Sequence, residues 1–189
     1  MRKIVMFNMI SVDGYFTDAN GGIEWHTVDE EFNRMAIENF DSIDTIMFGR
    51  VTYELFETYW PEAAKDPATD KNDLIIAEAI ENIRKIVFST TRDKVTWNNS
   101  EILKDIDVET IKRLKAEDGK NIIIYGSGSI VRQLSELGLI DKYNFMISAT
   151  ILGSGKKLFD EKAGMKLKLI ESKAFNSNGN VLLSYAPAS

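Results

Sequence analysis

The sequence contains no cysteine and a single histidine among its 189 residues. Without cysteine there is no disulfide, no thiol nucleophile and no thiolate ligand for zinc or an iron–sulfur cluster. One histidine cannot make a metal site that needs two imidazoles within the chain, and it leaves His26 as the sole base for a Ser–His–Asp arrangement. Proline is scarce, at three residues, and no apolar run approaches the roughly 20 residues of a membrane span. Lys and Arg number 23 against 29 Asp and Glu, a formal charge of −6. Such a chain is not a general partner for nucleic acid or an anionic membrane, although a local basic pocket is compatible with it. The basic pair Arg2-Lys3 runs into Asn8, Ser11 and Asp13, too polar for a signal peptide, so the expected location is the cytoplasm. An enzyme made from this chain must draw on carboxylates, hydroxyls, lysines or a borrowed cofactor.

What is present reads as alternating strands and helices in one domain spanning residues 1–189. Ile4 to Ile10 is a strand, followed by a long loop from Ser11 to Trp25. Thr27-Val28-Asp29-Glu30 has the form of a capping box with Thr27 at the N-cap, and Phe32, Met35, Ala36 and Phe40 keep helical spacing after it. Thr45 to Phe48 is a buried strand ending at Gly49. A short helix over Thr52 to Tyr59 closes at Pro61, and Leu74, Ala77 and Ile80 mark one or two further helical turns. Ile86 to Phe88 is a strand, Asp107 caps a helix carrying Val108, Ile111 and Leu114, and Asn121 to Tyr125 is a strand. A helix carrying Ile130, Val131 and Leu134 ends at Gly138. The tail is β: Tyr143 to Ile147, Leu167 to Phe175 and Val181 to Tyr185, the last two joined by the turn Ser177-Asn178-Gly179-Asn180. Alternation implies a parallel sheet with crossover helices, and the final hairpin adds antiparallel edge strands.

Three buried strands run directly into glycine or hydroxyl residues: Phe48-Gly49-Arg50-Val51-Thr52, Phe88-Ser89-Thr90-Thr91-Arg92 and Tyr125-Gly126-Ser127-Gly128-Ser129-Ile130. In open α/β sheets ligands bind beyond the carboxyl ends of the strands. Glycine lets the backbone approach a phosphate, and a following helix N-terminus supplies N–H donors. Arg50 and Arg92 add cations. Together the three loops suggest an extended polyanion such as a dinucleotide. Gly126 and Gly128 are the first two glycines of a dinucleotide fingerprint whose third is missing, and Gly153-Ser154-Gly155-Lys156-Lys157 reads as a turn rather than a P-loop.

These residues carry a family resemblance. Gly49-Arg50-Val51-Thr52-Tyr53-Glu54 after a buried strand resembles the Gly-Arg-x-Thr-aromatic-Glu signature of dihydrofolate reductases, and Tyr125 to Ser129 resembles that family's second cofactor loop. Gly138 to Asp141, the strand after it and Ile151 to Phe159 are similar to the reductase domain of the bifunctional riboflavin-biosynthesis deaminase–reductase, as is Ser11-Val12-Asp13-Gly14. The resemblance covers essentially the whole chain. It implies an α/β, three-layer dihydrofolate reductase-like fold: a central mixed, mostly parallel sheet of about eight strands with a C-terminal antiparallel hairpin and flanking helices. It also implies a homodimer.

Carried over by position, the resemblance assigns Gly49, Arg50 and Thr52 to the phosphates of NADPH. Ser89, Thr90, Thr91 and Arg92 fall around the adenosine 2′-phosphate, and Gly126, Ser127, Gly128, Ser129 and Ile130 around the pyrophosphate and nicotinamide. A 2′-phosphate calls for cations and hydroxyls, whereas an acidic residue there would favour NADH. The pterin-binding carboxylate falls at Glu30 when counted from Trp25, whereas counting back from Gly49 gives Asn33, and Asp13 or Glu30 are the candidate proton donors, water being the alternative. Asn8, Ser11, Trp25, Phe32, Tyr53, Tyr59 and Trp60 are the candidate substrate contacts, although Phe32 and Tyr53 taken singly read as helix core. His26, beside Trp25, is placed as a proton donor would be, but a lone histidine reads as a surface residue. The riboflavin enzyme's loop lysine is replaced by Tyr15, and its Asn-Pro-x-Leu-Thr stretch by Phe56 to Pro61. The expected activity is hydride transfer from NADPH to a pteridine- or pyrimidine-like heterocycle or its ribosylamino derivative, as in 5-amino-6-(5-phosphoribosylamino)uracil reduction. The rival is a non-catalytic nucleotide-binding module using the same loops.

Overall fold

A computed structural model describes residues 1–159 and 164–188. Eight strands form one sheet in the order β5-β4-β3-β6-β1-β7-β10-β9. They are β1 (Ile4–Ser11), β3 (Ile43–Gly49), β4 (Arg84–Phe88), β5 (Ser100–Leu103), β6 (Asn121–Tyr125), β7 (Lys142–Ser148), β9 (Leu167–Ala174) and β10 (Val181–Pro187). The run from β5 to β7 is parallel, while β10 pairs antiparallel with both β7 and β9. A two-stranded ribbon, β2 (Tyr15–Thr17) with β8 (Lys156–Lys157), stands apart from the sheet. The mixed, mostly parallel architecture with an antiparallel C-terminal pair agrees with the expectation from sequence.

Side-chain alternation along β1 explains the layering. Ile4 and Met6 point into a core shared with α4 (Val108–Ala116) and α5 (Gly128–Glu136). Phe7 and Met9 belong to the opposite core, packed under α1 (Glu30–Phe40), α2 (Arg50–Ala63) and α3 (Lys71–Asn82). Buried on both faces, the central strands read as continuous apolar runs. Asn8 is a polar residue in the middle of β1, only 2% exposed.

Several boundaries differ from the sequence reading, each for a physical reason. The N-cap of α1 is Asp29, not Thr27: its carboxylate accepts from Phe32 N–H at 2.9 Å and from Ser177 Oγ at 2.6 Å, tying the helix start to the C-terminal hairpin. Helix α2 continues through Pro61 to Ala63, because proline removes only one donor near the helix end and the next turn closes with Ala64 N–H on Trp60 O. Strands β2, β5 and β8 were not anticipated. They are two to four residues long, and their pairing comes from partners distant in sequence. Among the described residues no helix is long and apolar enough to cross a membrane.

Candidate functional site

The carboxyl ends of β1, β3, β4 and β6 open on a cleft of about 980 Å³. Helix capping marks it out. Helices α1, α3 and α4 are each capped by an aspartate, namely Asp29, Asp70 and Asp107. Helices α2 and α5, which start at the cleft, follow Gly49 and Ser127 and have no side-chain cap. Their first N–H groups and positive dipole ends are therefore left for an external anion.

Two hydrogen bonds clasp these starts together. Gly49 N–H donates to Ser127 Oγ at 2.6 Å, and Ser127 N–H donates to Thr52 Oγ1 at 3.1 Å. The clasp needs a tight backbone: Gly126 has φ +59° and Ser127 φ +53°. Ser127 spends its hydroxyl on Gly49 and so cannot cap its own helix. Across the cleft, Phe16 of β2 lies on the first turn of α5, where a methyl at Gly128 would meet its ring at 2.8 Å. The loop between β1 and α1 thus roofs the α5 start.

The other half of the cleft is aromatic. Phe32 (α1), Phe7 (β1), Tyr125 (β6), Phe56 and Trp60 (α2) form a chain with successive ring centroids 5.9–6.2 Å apart. Burial pushes the Tyr125 phenol up, so it stays protonated. Burial, with the Asp73 carboxylate beside it, also raises Tyr59, whose hydroxyl donates to Asp73 at 3.1 Å.

The cleft brings together Asn8, Phe32, Tyr59 and Trp60 with Gly49, Arg50, Thr52, Ser89, Thr90, Thr91 and the segment 126–130. Six other candidates lie outside its lining. Asp13 is held to about pKa 2, chiefly by the Ser11 hydroxyl and then by the N–H groups of Leu152 and Gly153, which makes it a loop anchor. Ser11 is fully buried and serves that anchor. Glu30 is exposed at the start of α1. Trp25 donates its indole N–H to Gly22 O, and Tyr53 is buried in the core with its hydroxyl on Ser100 Oγ. Arg92 is paired with Glu57 at 2.7 Å and sits over the Tyr53 ring. Removing the Asp13 carboxylate (Asp13→Ala) should free residues 151–155, read as faster amide hydrogen exchange at Leu152 and Gly153.

Residues 2–182 match the family described as the RibD C-terminal domain. The chain belongs to this family. A relative within reach of direct alignment is the uncharacterized protein YyaP of Bacillus subtilis (strain 168), 32% identical over 178 residues, 93% of this chain and 90% of YyaP. The fold is similar to that of a putative riboflavin biosynthesis protein from Shewanella sp. PV-4, with TM-score 0.73, 20% identity and 99% of each chain covered. It is also similar to a Thermotoga maritima diaminohydroxyphosphoribosylaminopyrimidine deaminase/5-amino-6-(5-phosphoribosylamino)uracil reductase, with TM-score 0.68 and 18% identity over 99% of this chain and 57% of that one. A dihydrofolate reductase from Enterococcus faecalis complexed with NADP(H) matches with TM-score 0.65 and 13% identity over 99% and 97% of the two chains. A RibD C-terminal domain with a dihydrofolate reductase-like fold is what the sequence resemblance implied.

Several cleft residues of this RibD C-terminal domain were not singled out from sequence, among them Phe16, Asn39 and Asp73. Asn39 carried a usable signal, a polar residue on the helical stripe of Met35, Ala36 and Phe40. His26 is not the surface residue expected. It lines the cleft, its ring meets Trp25 edge-on, and its Nε2 is buried without a partner. Burial lowers its pKa to about 4. Between about pH 6.5 and 4 the unfolded chain therefore binds a proton that the folded one refuses, and stability falls as pH drops through that window. His26→Gln should flatten urea-derived stability between those pH values by roughly 1–2 kcal/mol, allowing for the ring's partial exposure.

Proposed function

We propose that the chain is an NADPH-dependent oxidoreductase that transfers hydride to a flat pyrimidine- or pteridine-like heterocycle. The observation that carries this reading is the pair of uncapped, clasped helix starts, α2 and α5, opening beside an aromatic chamber. The residues present suit the cofactor. The N–H groups of Gly128 and Ser129 would hold the pyrophosphate, while Arg50, Ser89, Thr90 and Thr91 would offer one cation and three hydroxyls to a 2′-phosphate. Lys104, paired with Asp93 at 2.7 Å, also lines the cleft. Bound NADPH would supply the hydride.

The protein's own work is then positional. Phe7, Tyr125 and Phe56 hold the acceptor ring flat, and Phe16 screens the α5 start from water. Asp13 holds the loop rather than giving up a proton, and Glu30 lies outside the cleft, so water delivers the proton. A bare nucleotide-binding module has no use for a second, aromatic half of the cleft, and the family match does not favour that rival. Loss of reduced-nicotinamide absorbance with pyrimidine and dihydropteridine acceptors tests the reading. Saturable NADPH binding with no turnover of any of them would count against catalysis.

The assembly proposed is a homodimer. β9 is exposed along most of its length at the sheet edge, with Leu169 and Ile170 both more than half exposed, and such an edge invites cover. Light scattering should give twice the chain mass, and Ile170→Lys should lower it towards a monomer.

A further inference from the structure

We infer that the acceptor is a phosphate-free heterocycle rich in N–H donors, and that Asp73 is the residue that turns phosphorylated forms away. This rests on the hydride-transfer reading above and narrows its substrate.

Charge is segregated within the cleft. Its lysines and arginines are Arg50, Lys104, Arg132 and Lys156. Arg50 begins α2, Lys104 follows β5, Arg132 belongs to α5 and Lys156 to the ribbon strand β8. None comes from α1, α3 or the later turns of α2, which wall the aromatic chamber. A chamber meant for a phosphate would present a cation or a fan of N–H donors.

What the chamber presents instead is mostly acceptors. Asp73, in the first turn of α3, is half-buried, and the hydroxyl of Tyr59 is its hydrogen-bond donor. Among the described residues no lysine or arginine lies within ion-pair distance of it, so its negative charge is not neutralised locally. Asn39 adds an amide from α1. Deeper in the cleft, Asn8 is 2% exposed and its Oδ1 has no hydrogen-bond partner. A buried acceptor left unpaired in the free protein calls for a donor from a ligand. Ring N–H and amino groups of a heterocycle meet these acceptors, whereas a phosphate dianion meets a carboxylate with no cation to offset it.

The test is calorimetric binding to the intact protein saturated with NADP⁺, using 5-amino-6-(ribitylamino)uracil and its 5′-phosphate as the paired probes. The phosphate-free probe should bind at least about tenfold more tightly, and Asp73→Asn should cut that preference severalfold while leaving NADP⁺ affinity unchanged. Equal or tighter binding of the phosphate overturns the inference, and so does failure of both probes on a protein that binds NADP⁺. An undiminished preference in Asp73→Asn removes Asp73 from the role. Discrimination between the probes by a protein that does not bind NADP⁺ supports the inference and contradicts the cofactor reading.

Discussion

Arg50→Ala is expected to weaken NADPH binding by about tenfold or more while changing NADH binding by less than about threefold. A charge-assisted hydrogen bond is worth about 1.5–3 kcal/mol, or roughly one to two powers of ten in affinity, and partial exposure puts Arg50 at the lower end. Its side chain is 45% exposed, and its pairing with Glu54 at 2.7 Å is an i,i+4 surface contact. Surface pairs of this kind contribute about 0.3–0.5 kcal/mol, so a 2′-phosphate can displace the glutamate at little cost. Arg92, the other arginine expected there, is occupied. Burial alone would raise the Glu57 carboxyl, yet hydrogen bonds from Arg92 and Thr96 outweigh it and lower the pKa, which marks a settled ion pair. Arg92→Ala should therefore reduce thermal stability and leave the NADPH-to-NADH ratio near that of the wild type. Equal weakening of both nucleotides in Arg50→Ala would place the 2′-phosphate elsewhere.

The second large effect is expected at the clasp. Ser127→Ala leaves the Gly49 N–H buried without an acceptor, a loss of about 1–3 kcal/mol in denaturant titrations. Ser127→Gly removes the same hydroxyl but relieves a non-glycine residue at φ +53°, worth roughly 1–2 kcal/mol, so its loss should be smaller. Thr52→Val deletes the acceptor of Ser127 N–H. Because the two bonds share Ser127 and join the same two loops, Thr52→Val and Ser127→Ala should combine to less than the sum of their separate losses. Both variants should also weaken NADPH severalfold, since the clasp aligns the two uncapped helix starts. Strict additivity, with unchanged NADPH affinity, would mean the loops are held apart from each other.

The half of the cleft built on the starts of α2 and α5 was legible in the sequence because its determinants are local. Gly49 ends β3 and Gly126-Ser127 follows β6, and a strand running into glycine and then a helix has few conformations open to it. The aromatic half was legible only in part. Tyr59 and Trp60 face it as expected, while Tyr53, about two helical turns earlier, points into the core, the reading its spacing favoured. Asp73 and Asn39 reach the chamber from separate helices, whose packing no local spacing specifies. His26 misled for the same reason: beside Glu24 and Thr27 it looks solvated, yet the folded loop buries its Nε2. Asp13 shows the converse. A carboxylate in a loop before a ribbon suggests chemistry, but N–H groups from residues 139 and 140 positions further along claim it for structure.

In the function proposed, the loops after β3, β4 and β6 hold a nicotinamide dinucleotide bearing a 2′-phosphate. Equilibrium titration of the purified protein with NADPH and with NADH tests this most directly. Saturable binding of one NADPH per chain is expected, at least about tenfold tighter than NADH. Binding of neither nucleotide, or equal affinity for both, would contradict it.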